Sequence, residues 1–228
     1  IIKSKLNKED IKCLSRLLGV KGDEEFILFT SKYRPINTTL NNIHRNFTFE
    51  DDVYILLGSL KDNMKMTKNT YGKEIIDTKI SNVKYVPAIM IDIDSHRYGL
   101  SEDNAKIITE SLINRLAMDY KINIVPDEIM FTGRGLQLFY NVNEYSSSRR
   151  KILKLAEDFR NLIVGEIDKI LKEFNSYFND MGFRIELEID KSTSTKRQIF
   201  RCPGFTNTKS GEMAHFIFSQ NREKRIVM

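Results

Sequence analysis

Val86–His96 reads VPAIMIDIDSH, and the reading of this stretch decides the architecture. From Val86 to Ile93 it is almost continuously apolar, as a strand buried on both faces is. Side chains alternate along a strand, so Asp92 and Asp94 share one face while Ile91 and Ile93 turn to the core. Downstream, Ser101 can cap a helix with Ile108, Leu112, Leu116 and Tyr120 on one side. Glu128–Thr132 and Leu136–Val142 read as strands joined by Gly133-Arg134-Gly135, a short hairpin. A long amphipathic helix follows over 147–174, with Ile152, Ala156, Phe159, Ile163, Ile167 and Ile170 along one side. Phe183–Asp190 alternates as a strand, and Phe200 and Ala214–Ser219 belong to further strands.

Upstream, Asn7 is an N-cap with Glu9 and Asp10 in the first turn, and Ile11, Leu14, Leu17 and Leu18 form an apolar stripe before Gly19. Glu25–Ser31 and Val53–Leu57 read as strands, and the basic, Asn-rich region 61–78 as a loop or hairpin. Strand–helix–strand–strand–helix–strand is the order of a ferredoxin-like or RNA-recognition-like module. The expected fold class is therefore α/β of the α+β kind. Residues 84–228 form that module and residues 1–83 an α/β part packed beside it, together one catalytic-sized domain.

A chain of 228 residues can bury a substantial core. No run approaches the roughly 20 apolar residues of a membrane helix, and regular apolar periodicity argues against disorder. The net charge of +5 is too small by itself to establish nucleic-acid binding. Cys13 and Cys202 exclude a disulfide framework and a four-cysteine zinc site, and read as reduced thiols in a cytoplasmic protein. Ile1–Lys5 lead straight into a helical pattern without a signal peptide, and the start at Ile reads as an excised fragment. Lys-, Ile- and Asn-rich usage suggests an AT-rich bacterial or mobile-element genome.

Three constellations carry chemistry. Asp92 and Asp94, side by side at the end of a buried strand, repel by about 4 kcal/mol at 4 Å and an effective dielectric near 20. A divalent cation is the usual compensation, and a solvated strand end whose acids cap the next turn is the plainer alternative. In Thr132-Gly133-Arg134-Gly135-Leu136-Gln137 the glycines let backbone approach a ligand, and Arg134 offers a fork for an anion; alone, the motif is equally an ordinary turn. The stretch 191–211 holds Lys191, Lys196, Arg197, Arg201 and Lys209 with no acid, directly after Asp190 at a strand end, and is otherwise a basic surface loop. Together, Asp92, Asp94 and Asp190 with Arg134, Arg201 and Lys209 supply what nucleotidyl transfer needs: carboxylates for two metals and cations for a polyphosphate.

These motifs resemble the archaeo-eukaryotic primase superfamily, the primase-polymerases of plasmids, phages and mobile elements. Asp92-Ile93-Asp94 resembles its first motif, Thr132–Gln137 its second, and Asp190 the carboxylate of its third. Arg201-Cys202-Pro203-Gly204-Phe205-Thr206-Asn207-Thr208-Lys209 resembles the Arg-x-Pro-Gly-Thr-x-Asn-x-Lys segment of plasmid-type members. Gln137 stands where many members carry His, and Phe205-Thr206 where Thr comes first.

The resemblance implies the archaeo-eukaryotic primase fold and a DNA-dependent primase or polymerase that makes primers on single-stranded DNA from NTPs or dNTPs. Asp92, Asp94 and Asp190 would hold two Mg2+ or Mn2+ ions and be the catalytic residues. Thr132, Arg134, Gln137, Arg201, Asn207, Lys209 and His96 would bind the nucleotide. The basic groove for the template draws on Arg97, Arg149, Arg150 and Lys151, although the last three read more simply as a solvated helix face; His44 and His215 read as ordinary histidines. A replicative helicase or an accessory helical domain is the expected partner, and no membrane is. The rival readings are a rolling-circle nuclease, which lacks its His-hydrophobic-His pair here, and a non-catalytic origin or single-strand-binding module of the same fold.

Overall fold

The computed structural model of this chain describes residues 6–30, 35–43, 45, 47–48, 51–60, 66–68, 74–76, 83–95, 99–118, 124–146, 150–192 and 198–220. The readings at His44, His96, Arg97, Tyr120, Arg149, Lys196 and Arg197 lie outside the described residues.

Helix α1 (Lys8–Leu18) opens on a reciprocal cap: Asn7 accepts the Asp10 N–H at 2.7 Å, and the Asp10 carboxylate accepts that of Asn7 at 3.4 Å. Gly19, at φ 68°, ends it. The buried stripe is Asp10, Cys13, Leu14, Leu17 and Leu18, whereas Ile11 stays 38% exposed, which corrects the sequence reading by about one residue of rotation. The cause is Asp10, turned inward to accept the Phe216 N–H at 2.9 Å; burial raises its carboxyl above the ordinary range.

Among the described residues seven strands precede the second helix: β1 (Phe26–Thr30), β2 (Ile36–Thr38), β3 (Val53–Leu57), β4 (Ser59–Leu60), β5 (Met66–Lys68), β6 (Glu74–Ile76) and β7 (Val83–Ser95). Then come α2 (Glu102–Met118), β8 (Glu128–Phe131), β9 (Leu136–Ser146), α3 (Arg150–Asp180), β10 (Leu187–Ile189), β11 (Gln198–Arg201) and β12 (His215–Ser219). Strands β5 and β6 pair as an antiparallel hairpin within 61–78. The strand expected over 183–190 contracts to Leu187–Ile189, and α3 runs on to Asp180.

The main sheet runs β10-β7-β9-β8-β12, with β4 also on β7. Within the unit β7-α2-β8-β9-α3-β10 the strands order fourth, first, third, second, and the paired neighbours are antiparallel. That is the expected ferredoxin-like arrangement. A second sheet runs β11-β3-β1-β2, so Gln198–Arg201, late in the chain, pair with Val53–Leu57 from its first third. The division at 83/84 is thus crossed by hydrogen-bonded strands in both sheets, through β11·β3 and β4·β7.

Strand β7 is continuously apolar from Val86 to Ile91 because that part is covered twice. On one face Ile89, Ile91 and Ile93 pack with Leu112 and Leu116 of α2 and Ile163 and Ile167 of α3. On the other, Ala88 and Met90 meet Phe139, Phe200, Phe205 and the α1 stripe, between the two sheets. Past Asp190, the edge of β7 that β10 leaves uncovered is completed by a buried side chain: Gln198 accepts the Met90 N–H at 2.5 Å and donates to the Ala88 carbonyl at 3.2 Å. This amide staples the second sheet onto the first. Among the described residues, no helix is long and apolar enough to cross a membrane.

Candidate active site

The face of β7 carrying Ala88 and Met90 continues into Asp92 and Asp94, where the sheets part. Register then recruits neighbours. Gln137 on β9 lies opposite Asp92, and Glu188 on β10 opposite Asp94. The Asp190 N–H donates to the Asp92 carbonyl at 2.9 Å. A cleft of about 350 Å³ opens here, and its lining brings together Asp92, Asp94, Thr132, Arg134, Gln137, Arg201, Asn207 and Lys209, with Tyr54 and Ser95. Asp190 lines an adjoining hollow of about 210 Å³ instead, with Glu188 and Lys191, and Asp94 borders both.

Burial pushes the Asp92 carboxyl up to about 7. The Gln137 hydrogen bond pulls it down, the charges of Asp94 and Asp190 push it up, and Arg201 pulls it down. The Asp190 carboxylate is turned to its own loop, accepting the Ser192 N–H and hydroxyl, each at 2.8 Å. Accordingly, among the described residues no three acidic, His or Cys side chains stand together at metal-ligand geometry. Asp92 and Asp94 open on the cleft, and Asp190 joins them only by turning from Ser192.

The second motif is built differently from its sequence reading. Gly133 has φ 83°, and a Cβ there would sit 2.6 Å from the Glu212 carbonyl oxygen and 2.8 Å from Asn207 Cβ. A Cβ on Gly135 would collide with the Ile93 carbonyl oxygen, and its N–H already donates to Thr132 Oγ1 at 2.9 Å. Both glycines serve close packing of the hairpin on β7 and on the 207–212 turn, rather than approach of a ligand. What the hairpin offers the cleft is the Arg134 side chain. Among the described residues, neither Arg134 nor Lys209 forms an ion pair with a carboxylate.

Asn207 is committed at both ends, donating to the Thr132 carbonyl at 3.1 Å and accepting the Lys209 N–H at 3.0 Å. It ties the hairpin to the loop that carries Lys209. Gln137 is buried and equally committed, with its Nε2 on Asp92 Oδ2 at 3.0 Å and its Oε1 on the Arg201 N–H at 3.2 Å.

Arg201, with 10% of its side chain exposed, is held by residues that motif reading missed. Its Nη1 pairs with Asp52, its Nη2 donates to Tyr54 Oη at 3.1 Å, and the guanidinium lies 4.9 Å from the Tyr54 ring centroid. Asp52 also accepts the Thr208 N–H at 3.1 Å and its hydroxyl. Burial alone would raise the Asp52 carboxyl; hydrogen bonds from Thr208 and Arg201 overcome this and hold it below the ordinary range. The available signal was alternation in β3, which sets Tyr54 opposite Val53 and Ile55, but nothing local linked either residue to Arg201. His215, read as ordinary, lies 3.3 Å from Glu102 and edge-on to Phe131.

No protein-family model matches the sequence, and no curated protein is found similar to it. Among solved structures, the chain is similar to the AEP domain of the cyanophage S-2L primase-polymerase (PrimPol), at 12% identity and a TM-score of 0.47, over 96% of this chain and 94% of that one.

Proposed function

We propose that this chain is the catalytic domain of a primase-polymerase of the archaeo-eukaryotic primase superfamily, a nucleotidyltransferase that builds primers on single-stranded DNA from NTPs or dNTPs. The observation that carries the reading is a single cleft lined by two acids, Asp92 and Asp94, and by the cations Arg134, Arg201 and Lys209. The order of the four motifs along the chain supports it independently.

The donor set suits a hard divalent cation. A half-buried carboxylate driven up to about 7 beside two further acids needs positive charge to ionise fully at neutral pH, and carboxylate oxygens are what Mg2+ and Mn2+ prefer. Asp92, Asp94 and a reoriented Asp190 would hold such ions. Bound there, Mg2+ or Mn2+ supplies Lewis acidity for the attacking 3′-hydroxyl and neutralises the leaving pyrophosphate. Arg134 and Lys209 bind triphosphate oxygens as cations without a carboxylate partner among the described residues, whereas Arg201 presents a guanidinium already braced by Asp52 and Tyr54. Thr132 and Asn207 keep the two phosphate-binding segments in register, and the nucleotide role of His96 rests on its sequence position two residues after Asp94. Nucleotide transfer on a DNA template explains the acids and the cations together; a binding module of the same fold explains only the cations.

Mn2+- and Mg2+-dependent incorporation of labelled NTP and dNTP on unprimed and primed single-stranded DNA tests the proposal, with Asp92→Asn and Asp94→Asn as controls. Incorporation by wild type and its loss in both variants is expected. An inert wild type, or variants extending at the wild-type rate, removes the enzyme reading.

A further inference from the structure

Gln137 occupies the position where the resemblance expects a phosphate-binding side chain, yet its surroundings assign it another task. It stands directly across from Asp92 in the β7·β9 register, and the residue is 6% exposed. Both ends of its amide are engaged: Nε2 donates to Asp92 Oδ2 at 3.0 Å, and Oε1 accepts the Arg201 N–H at 3.2 Å. The two partners fix the amide's orientation, since a carboxylate only accepts and a backbone N–H only donates. Asp92 and Gln137 belong to the main sheet and Arg201 to the second. The glutamine therefore spans the gap between the sheets, anchored at one end by backbone and gripping a carboxylate at the other.

We infer that Gln137 is a positioning residue for Asp92, holding that carboxylate in the orientation it presents to a divalent cation, and is not a ligand of the nucleotide's phosphates. The inference rests on the metal-dependent reading above and assigns the role of one residue within it. A carboxylate rotates almost freely about its terminal bond; a hydrogen bond to one oxygen, from a donor itself pinned, removes that freedom before the ion arrives. Outer-shell donors of this kind typically change metal affinity by 10–100-fold when removed. The phosphate role falls to neighbours better suited to it, because Arg134 and Lys209 line the same cleft, carry charge and have no carboxylate partner among the described residues.

Metal and phosphate affinities, measured separately and without turnover, decide between the two roles. Metal-free wild type and Gln137→Met, an unbranched side chain of equal length without hydrogen-bonding groups, are titrated with Mn2+ alone and followed by the paramagnetic resonance signal of the free ion. Inorganic tripolyphosphate is titrated calorimetrically in the absence of metal. The expected result is a Mn2+ dissociation constant at least about tenfold higher in Gln137→Met, with tripolyphosphate affinity within about twofold of wild type. An unchanged Mn2+ affinity overturns the inference, whatever happens to tripolyphosphate, and so does a wild type that binds no Mn2+ at millimolar concentration. Should Gln137→Met fail to fold, Gln137→Leu decides by the same criteria, since it too removes both hydrogen bonds. A wild type that binds Mn2+ in a Gln137-dependent way yet incorporates no nucleotide upholds this assignment and removes the polymerase reading.

Discussion

The backbone N–H of Asp190 donates to the carbonyl oxygen of Asp92 at 2.9 Å. That bond extends the β10·β7 ladder by one step and brings acids from opposite ends of the α/β module side by side. Their carboxylates are treated unequally. Asp92 is held by Gln137 toward the cleft, whereas Asp190 is held by Ser192 toward its own turn.

Without metal, this crowding destabilises the protein. The Asp92 carboxyl is raised to about 7 by burial and then by its acidic neighbours, against an ordinary 3.8. Between those values the native state retains a proton that the unfolded chain has released, so stability falls as pH rises through the window. Asp92→Asn should therefore be more stable than metal-free wild type at pH 8, by a few kcal/mol at most, and no more stable below pH 4. Calorimetry across pH checks it. Millimolar Mn2+ should raise the wild-type Tm and leave that of the variant unmoved.

Asp52 works in the opposite direction. Its carboxyl lies below the ordinary 3.8 despite burial, because Thr208 and Arg201 bond it. Its contribution is complete above about pH 4 and disappears as pH falls through the lowered value. Asp52→Ala should cost on the order of 3 kcal/mol in urea denaturation at pH 7, by stranding a nearly buried guanidinium. Wild type and Asp52→Asn should converge in stability at acid pH.

Arg134 and Lys209 form no ion pair among the described residues, so removing either should leave the fold intact. Arg134→Ala or Lys209→Ala should each weaken nucleotide triphosphate binding about tenfold, the worth of one charge-assisted bond, with Tm within a degree of wild type. The salt dependence of binding should flatten in parallel. Fluorescence titration at two ionic strengths reads both effects.

The glycines separate packing from flexibility. A Cβ at Gly135 meets the Ile93 carbonyl, while one at Gly165, in the exposed face of α3, meets nothing within 4 Å. Gly135→Ala should lose at least about 2 kcal/mol as β9 is pushed off β7, and hydrogen exchange should quicken at residues 93–95. Gly165→Ala should gain up to about 1 kcal/mol. Chemical denaturation of the pair measures both.

Much of this was legible in one dimension because it is local. The apolar run ending in Asp92-Ile93-Asp94, the Gly133–Gly135 hairpin and the amphipathic faces of α2 and α3 follow from periodicity, which needs no partner to be read. Those elements in their order were enough for the ferredoxin-like unit. Other features were settled only when distant segments met. Whether Ile11 or Asp10 faces inward depends on the N–H of Phe216 that Asp10 accepts, and whether Gly133 and Gly135 admit a ligand depends on the backbone of Ile93 and Glu212. The brace on Arg201 requires Tyr54 from the second sheet and Asp52 just before its strand β3, and that sheet exists in this form because β11 crosses over to β3. Side-chain alternation is a property of the strand itself. Which donor meets which acceptor across two sheets is a property of their register, and register is set by the whole core.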